Sequence, residues 1–174
     1  MRIHTAAFAL MLIHGMATAG GYQGWQFGMT KAQVQAIGDP ARYYPFKNGD
    51  LGAGYVAFEG SEALLSFYFT KDHMERVMLI TYRGEDASLA RQAWTSAYTH
   101  LAGVCGDVES LSAGKGASTR EAALAAYDRD VGSLDTGKRH QMGCLRMPAG
   151  ERVWASATRG EGKLVMVAVN YGEP

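Results

Sequence analysis

Residues 63–70 read ALLSFYFT, and from Leu65 to Thr70 apolar side chains alternate with side chains that carry a hydroxyl group. Leu65 and Phe67 fall on one side of an extended chain, whereas Ser66 and Tyr68 fall on the other. This two-residue period predicts a β-strand with one face in a hydrophobic core and the other face in water.

Two more strand-like segments flank this one. Residues 55–58 read YVAF and end at a Glu-Gly pair, and residues 76–82 are rich in Val, Ile, Thr and Tyr. Residues 71–73 form a polar turn between the second segment and the third. Together the three segments predict an antiparallel meander with one solvated face.

A short helix is predicted before this meander. Thr30 at the N-cap and Gln33 at the third helical position match a capping box, and Val34 supplies an apolar face. Gly38 and Pro40 end the helix. Because the helix is short, packing rather than intrinsic propensity must stabilise it.

The second half of the chain follows the same order. Apolar residues recur at intervals of three and four from Leu89 to Val104, which predicts an amphipathic helix. Ser118 with Glu121 predicts a second capping box and a short helix to about Tyr127. Three strand-like segments come next, at about residues 141–147, 152–158 and 163–171.

This order of helix, three strands, helix and three strands predicts an α+β protein. We expect tandem helix-plus-antiparallel-sheet units with the helices packed on one sheet face. The first unit covers residues 20–84 and the second covers residues 85–174.

The first 19 residues have the pattern of a secretory signal peptide. Arg2 gives a positive start, residues 6–13 (AAFALMLI) are apolar, and Ala17-Thr18-Ala19 matches the small-residue pattern at cleavage sites. The alternative is a retained anchor, but the apolar run is far shorter than the ~20 residues that span a bilayer. We therefore expect cleavage after Ala19 and a soluble periplasmic or secreted protein.

The charge balance argues against two classes of partner. The whole chain carries 17 Lys and Arg against 17 Asp and Glu, so loss of Arg2 leaves the mature chain slightly negative. Such a chain has no general basic field for nucleic acid or an anionic membrane. We expect no nucleic-acid partner and no later transmembrane segment.

Cys105 and Cys144 are the only two cysteines in the chain. In an oxidising compartment such a pair predicts a structural disulfide. Closing a loop of about 40 residues would stabilise the fold by roughly 4 kcal/mol. The alternative is a redox-active or nucleophilic cysteine, which a C-x-x-C spacing or a cationic setting would favour, and neither is evident.

The segment W-x-F-G-M-T-K-A-Q-V-x-x-I-G-D-P at residues 25–40 resembles the opening of a known family. It is similar to the small outer-membrane-assembly lipoproteins of the SmpA/OmlA type, which share a helix-then-sheet unit with the β-lactamase inhibitor protein. The match covers roughly residues 25–82, and a tandem copy would cover the rest. The resemblance implies a β-lactamase-inhibitor-like fold and a habit of binding proteins or envelope components. The chain departs from the assembly lipoproteins because it lacks their lipidated cysteine.

Aromatic residues cluster in the loop between the first helix and the first sheet. Tyr43, Tyr44 and Phe46 are candidate partner-binding residues, together with His73 in the hairpin turn. Tyr side chains anchor many protein interfaces, which favours this interpretation. The alternative is that the rings cover the open end of the sheet as part of the core.

The histidines give little support to an enzyme. We expect His100 to be hydrogen-bonded at the edge of the core, and His140 to lie at a solvated strand entry. No two of His73, His100 and His140 share a metal-ligand spacing, and no G-x-S-x-G motif occurs. The sequence predicts no catalytic residue, no metal and no cofactor, although a triad dispersed along the chain stays an alternative.

The sequence therefore favours a protein-binding or inhibitory module that acts on another envelope or secreted protein. A specific form would be an inhibitor or immunity protein for an envelope-targeting enzyme. One alternative is an outer-membrane or envelope assembly factor. The other is a small envelope hydrolase that would depend on His100 or His140.

Overall fold

The computed structural model describes residues 21–110, 116, 118–131, 139–148 and 151–172. The predicted signal peptide, residues 1–19, lies outside the described residues. The helices are α1 (Lys31–Gln35), α2 (Ala87–Cys105) and α3 (Arg120–Val131), with a 3-10 turn at Pro40–Arg42. The strands are β1 (Gly21–Tyr22), β2 (Trp25–Gln26), β3 (Tyr44–Pro45), β4 (Leu51–Phe58), β5 (Ser61–Thr70), β6 (His73–Gly84), β7 (Val108–Ser110), β8 (Arg139–Cys144), β9 (Arg152–Arg159) and β10 (Val165–Gly172).

Strands β3 to β10 form one antiparallel sheet in the order β3-β4-β5-β6-β10-β9-β8-β7, and β1 pairs with β2 in a separate hairpin. Strands β4 to β6 are consecutive neighbours, and so are β8 to β10. The two groups join where β6 pairs with β10, with Val165 opposite Gly84 and Gly172 opposite Arg76. The centre of the sheet is therefore made by strands that are distant in sequence.

Strand β4 is longer than the sequence pattern suggests. It begins at Leu51 rather than at residue 55. Gly52 and Gly54 interrupt the apolar alternation, but the strand continues through them as a β-bulge, with a register shift between Gly52 and Tyr55. Gly54 has a φ of +67°, a conformation that favours glycine.

The predicted capping box of α1 is confirmed. The Thr30 Oγ1 accepts a hydrogen bond from the Gln33 N–H at 3.3 Å, and the Gln33 Oε1 accepts one from the Thr30 N–H at 2.8 Å. Val34 on this helix is fully buried. The longer helix α2 is capped by Asp86, whose Oδ1 accepts the Ser88 N–H at 2.8 Å. Both helix starts thus satisfy backbone donors that would otherwise lack partners.

The predicted capping box of α3 is wrong by one residue. Thr119 is the N-cap, because its Oγ1 accepts a hydrogen bond from the Ala122 N–H at 3.2 Å. The Ser118 Oγ instead accepts the Ser110 N–H at 3.3 Å, which ties the helix start to β7. The helix also continues past its expected end to Val131, because buried side chains recur along it up to that residue.

Helices and antiparallel strands form separate layers, so the protein belongs to the α+β class. The helices and the β1–β2 hairpin pack on one side of the sheet, which we call the covered face. On this side α2 buries Trp94 and Leu101, and Trp25 contacts Phe67 with ring centroids 5.2 Å apart. The opposite side, which we call the open face, carries no helix within the described part of the chain.

The predicted disulfide is confirmed. Cys105 at the end of α2 is bonded to Cys144 at the end of β8, 39 positions further along the chain. The bond fixes the last turn of α2 to the sheet. Among the described helices, none combines the length and apolar character needed to cross a membrane.

Candidate binding surface on the open face of the sheet

Strand register defines which side chains lie on the open face. Phe67 belongs to the covered face, so its neighbours Ser66 and Tyr68 lie on the open face with their cross-strand partners Met78 and Arg76. Residues paired directly across neighbouring strands lie on the same face, so the pairs of β10, β9 and β8 extend the open face over three more strands. These further open-face residues are Ala168, Asn170, Gly172, Trp154, Ser156, Arg139 and Gln141.

Aromatic rings and arginines are paired on this surface. The Arg76 Cζ lies 3.9 Å from the ring centroid of Tyr68, and the Arg152 Cζ lies 5.0 Å from that of Trp154. Both distances suit cation–π attraction, which holds each guanidinium against a ring. Long side chains are thus partly ordered on a face that no helix covers.

Two glycines allow large rings to lie flat on the open face. A Cβ on Gly172 would come within 3.0 Å of the Trp154 ring, and a Cβ on Gly52 would collide with the ring of Tyr44. Strand residues with side chains would push these rings outward. The glycines therefore let Trp154 and Tyr44 form part of a surface instead of projecting from it.

A crevice of about 410 Å³ opens at one end of this face. Asp50 lies in its wall, but its carboxylate is already engaged. The Asp50 Oδ1 accepts the Phe69 N–H at 2.9 Å, and its Oδ2 accepts the Asn48 side-chain amide at 2.7 Å. The lining residues are Asp50, Tyr68, Phe69, Thr70, Glu75, Arg76, Trp154 and Gly172.

The electrostatics of Tyr68 link distant parts of the open face. Burial raises the pKa of its phenol, while the positive charges of Arg76 and Arg139 act to lower it and the charge of Asp50 acts to raise it. Arg139 belongs to β8, which is separated from β5 by three strands. Charges from strands toward opposite edges of the sheet therefore act on the same phenol group.

The predicted binding residues are divided between the two faces. Tyr43 packs into the covered face, where its hydroxyl donates to the Ile37 carbonyl at 2.6 Å and accepts from the Trp25 Nε1 at 3.2 Å. Tyr44 is 39% exposed and makes an edge-to-face contact with Phe46, with centroids 5.5 Å apart. The structure thus brings Tyr44 and Phe46 together and leaves Tyr43 half-buried on the covered face.

His73 lies at the β5–β6 turn. Its side chain is exposed, and its Nδ1 is 2.9 Å from the Gly28 carbonyl oxygen. Its backbone forms a bridge with Thr30 at the start of α1. These contacts tie the hairpin to the N-terminal segment of the described chain.

The other two histidines are both in polar contacts. As expected, His100 is at the edge of the core, with its Nδ1 2.8 Å from the Glu59 Oε1 and its Nε2 against the Tyr171 hydroxyl. The expectation for His140 is wrong, because it is 1% exposed. Its Nδ1 lies 3.2 Å from the Asp130 Oδ2. The alternating pleat of β8 places the His140 side chain on the covered face. The basic residues next to it in the sequence had suggested a solvated position instead.

A second cleft, of about 590 Å³, lies between α2, α3 and the β9–β10 hairpin. Tyr127, Val131 and Val165 are among its lining residues, and the Arg91–Asp128 ion pair, with Nε and Oδ1 2.8 Å apart, lies at its edge. Because both partners of the pair are about half exposed, it contributes little stability.

The sequence did not single out Arg76, Trp154 or Asn170 as binding residues. One signal was present: the period of residues 63–70 placed Tyr68 opposite the core side of its strand. No local sequence pattern shows that β5, β6, β10 and β9 are neighbours in the sheet. Their pairing is what brings these side chains together.

Comparisons with known proteins add no family to this description. No protein-family model matches the chain, and no curated protein or solved structure matches it significantly. The resemblance of residues 25–82 to the outer-membrane-assembly lipoproteins therefore stays a prediction.

Proposed function

We propose that this protein is an exported protein-binding or inhibitory module whose open face binds another envelope or secreted protein. The observation that carries the proposal is the composition of this face. Tyr44, Tyr68 and Trp154 lie there with Arg76 and Arg152. Tyr, Trp and Arg are the residue types enriched at the energetic centres of protein interfaces.

The tandem architecture is part of this proposal. Each group of three strands is a meander, and the two meanders meet at their last strands, β6 and β10. This arrangement supports tandem units at residues 20–84 and 85–174, as the resemblance to the β-lactamase-inhibitor superfamily implies. A sheet of two joined units offers a broad face, which suits a protein partner better than a small ligand.

Export is the second part of the proposal. It rests on the signal-peptide pattern of residues 1–19 and on the disulfide between Cys105 and Cys144. Structural disulfides persist mainly in oxidising compartments. We place the protein in the periplasm or outside the cell, where an inhibitor or immunity protein would meet an envelope-targeting enzyme.

A site-specific photo-crosslinking experiment tests the proposal. A benzophenone amino acid replaces Tyr55, which is 67% exposed and pairs with the open-face residue Leu64. A matched variant carries it at Leu89, which is 51% exposed on α2. Each oxidised protein is incubated with envelope extract, irradiated and analysed by mass spectrometry.

We expect one protein adduct from the position of Tyr55 and none from that of Leu89. Replacing both Tyr44 and Trp154 by Ala should abolish the adduct, since each interface anchor contributes about 2 kcal/mol or more. Loss of the captured enzyme's activity on binding would identify an inhibitor. Equal adducts from both positions, or an adduct that survives the double substitution in a folded variant, would refute binding through the open face.

A further inference from the structure

Two buried hydrogen-bond donors on the open face have no acceptor among the described residues. They are the Arg76 Nε and the Asn170 Nδ2. Asn170 as a whole is 2% exposed. A buried donor without a partner destabilises a fold, and a charged one does so more strongly. Such atoms therefore require an explanation, and a ligand that supplies acceptors is one.

Register places the two donors at diagonally neighbouring positions of β6 and β10. Gly172 is paired with Arg76, and Asn170 is paired with Met78, two positions along the same strands and on the same face. Trp154 is the partner of Asn170 on the other side of β10. Arg76 therefore lines the crevice together with Tyr68 and Trp154, and Asn170 adjoins it as the cross-strand neighbour of Trp154.

The guanidinium of Arg76 is held in position before any ligand arrives. Its Cζ is 3.9 Å from the ring centroid of Tyr68. Stacking on an aromatic ring occupies the flat surface of a guanidinium and leaves its N–H edge for hydrogen bonds. That edge suits the two oxygens of a carboxylate.

The charges around the crevice favour an anion. Arg152 lies against Trp154, and the positive charge of Arg139 acts on Tyr68 in addition to that of Arg76. Two carboxylates oppose them. Asp50 already accepts hydrogen bonds on both oxygens, and Glu75 is exposed to solvent, where its charge is screened.

We propose that this crevice binds the carboxylate of an Asp or Glu side chain presented by the partner protein. Arg76 donates the hydrogen bonds, Tyr68 and Trp154 form the walls, and the Asn170 amide adjoins the bound carboxylate beside Trp154. The inference rests on the proposed function, because a folded partner is the source of the side chain. It adds the chemistry of the contact, which the open face alone does not specify.

The test uses two peptides that differ only in charge: acetyl-Gly-Glu-Gly-amide and acetyl-Gly-Gln-Gly-amide. The oxidised protein is labelled with ¹⁵N, and the signals of the Arg76 Nε–H and the Asn170 side-chain amide are followed by NMR during titration. We expect both signals to shift saturably with the glutamate peptide and not with the glutamine peptide. Inorganic phosphate at the same concentrations serves as the free-anion probe.

A matched pair of variants sharpens the test. Arg76→Gln and Arg83→Gln remove the same charge from the same strand, but Arg83 is exposed at the far end of β6. We expect Arg76→Gln to weaken peptide binding about tenfold or more, the size of one lost hydrogen bond to a charged group. Arg83→Gln should leave the affinity unchanged.

Several results would overturn the assignment. They are the absence of saturable shifts in the wild-type protein, equal shifts with the glutamine peptide, equal weakening by both variants, and phosphate binding as tight as that of the glutamate peptide. The two proposals can fail separately. A crosslinked partner whose affinity is unchanged by Arg76→Gln would preserve the proposed function and refute this contact. Peptide binding without any crosslinked partner would support this contact and refute the proposed function.

Discussion

The two faces of the sheet are built by the same strands and yet carry different chemistry. On the covered face, β5, β6 and β10 supply Leu65, Leu79 and Val169, all with no exposed surface. On the open face, β5 and β6 supply Tyr68 and Arg76, both partly exposed. Apolar side chains dominate the covered face, with His140 as a buried polar exception, whereas the open face presents polar groups and aromatic rings. This difference separates residues that hold the fold from residues that are available to a partner.

The disulfide should give the largest effect, and it tests what holds the covered face together. Replacing Cys105 and Cys144 by Ala releases the end of α2 from the sheet. We expect the free energy of unfolding to fall by roughly 4 kcal/mol, because the unfolded chain is no longer constrained by a closed loop. Urea unfolding of the oxidised wild type and the variant measures this difference. Reduced wild-type protein is the control and should match the variant, and unchanged stability would contradict the prediction.

Neighbouring residues of β6 provide the most direct comparison between the faces. Leu79 lies on the covered face with no exposed surface, and Met78 lies on the open face. Leu79→Ala should destabilise the protein by about 3 kcal/mol, since it leaves a cavity in a packed core. Met78→Ala should cost about 1 kcal/mol or less, because that site can relax toward solvent. Equal losses in urea unfolding would show that the open face is also core.

The smallest effect concerns pH and the buried His140. Burial lowers the pKa of its imidazole, although the charge and hydrogen bond of Asp130 act to raise it and Arg129 acts to lower it. The unfolded chain therefore takes up a proton at higher pH than the folded protein does. Stability is full above the unfolded value of about 6.5 and decreases as the pH falls through it.

His140→Gln should reduce this acid-induced loss of stability. Melting temperatures at pH 7.5 and 5.5 measure it, and the difference between the two should be smaller in the variant than in the wild type. His73→Gln is the control, since His73 is exposed at a turn. A pH dependence that is the same in all three proteins would exclude His140 as its source.

Local features of the fold could be predicted from the sequence, because short-range physics determines them. The capping box of Thr30 and Gln33 and the alternation in β5 both depend on neighbours within a few residues. The disulfide was also predictable, because only one pairing exists. The start of β4 was missed because Gly52 and Gly54, at and next to the bulge, are residues typical of loops.

The candidate site was only partly predictable for a related reason. Tyr44 was identified because it stands in an aromatic cluster that is visible in the sequence. Arg76 and Asn170 could not be identified, because their importance depends on the pairing of β6 with β10. That pairing joins residues far apart in the chain, and no local pattern encodes it. The half-buried position of Tyr43 could not be predicted either, because exposure within a loop depends on which side chains lie within reach of the ring.

The pairing of β6 with β10 also has a consequence for how the molecule acquires its shape. Strand β10 is the last described strand, but it stands in the middle of the sheet between β6 and β9. During synthesis, β6 and β9 leave the ribosome before β10 does. The two meanders therefore cannot join until residues 165–172 have been synthesised. Contacts of such long sequence separation form slowly, typically in milliseconds to seconds. The core of the sheet is thus completed only when the last described strand becomes available.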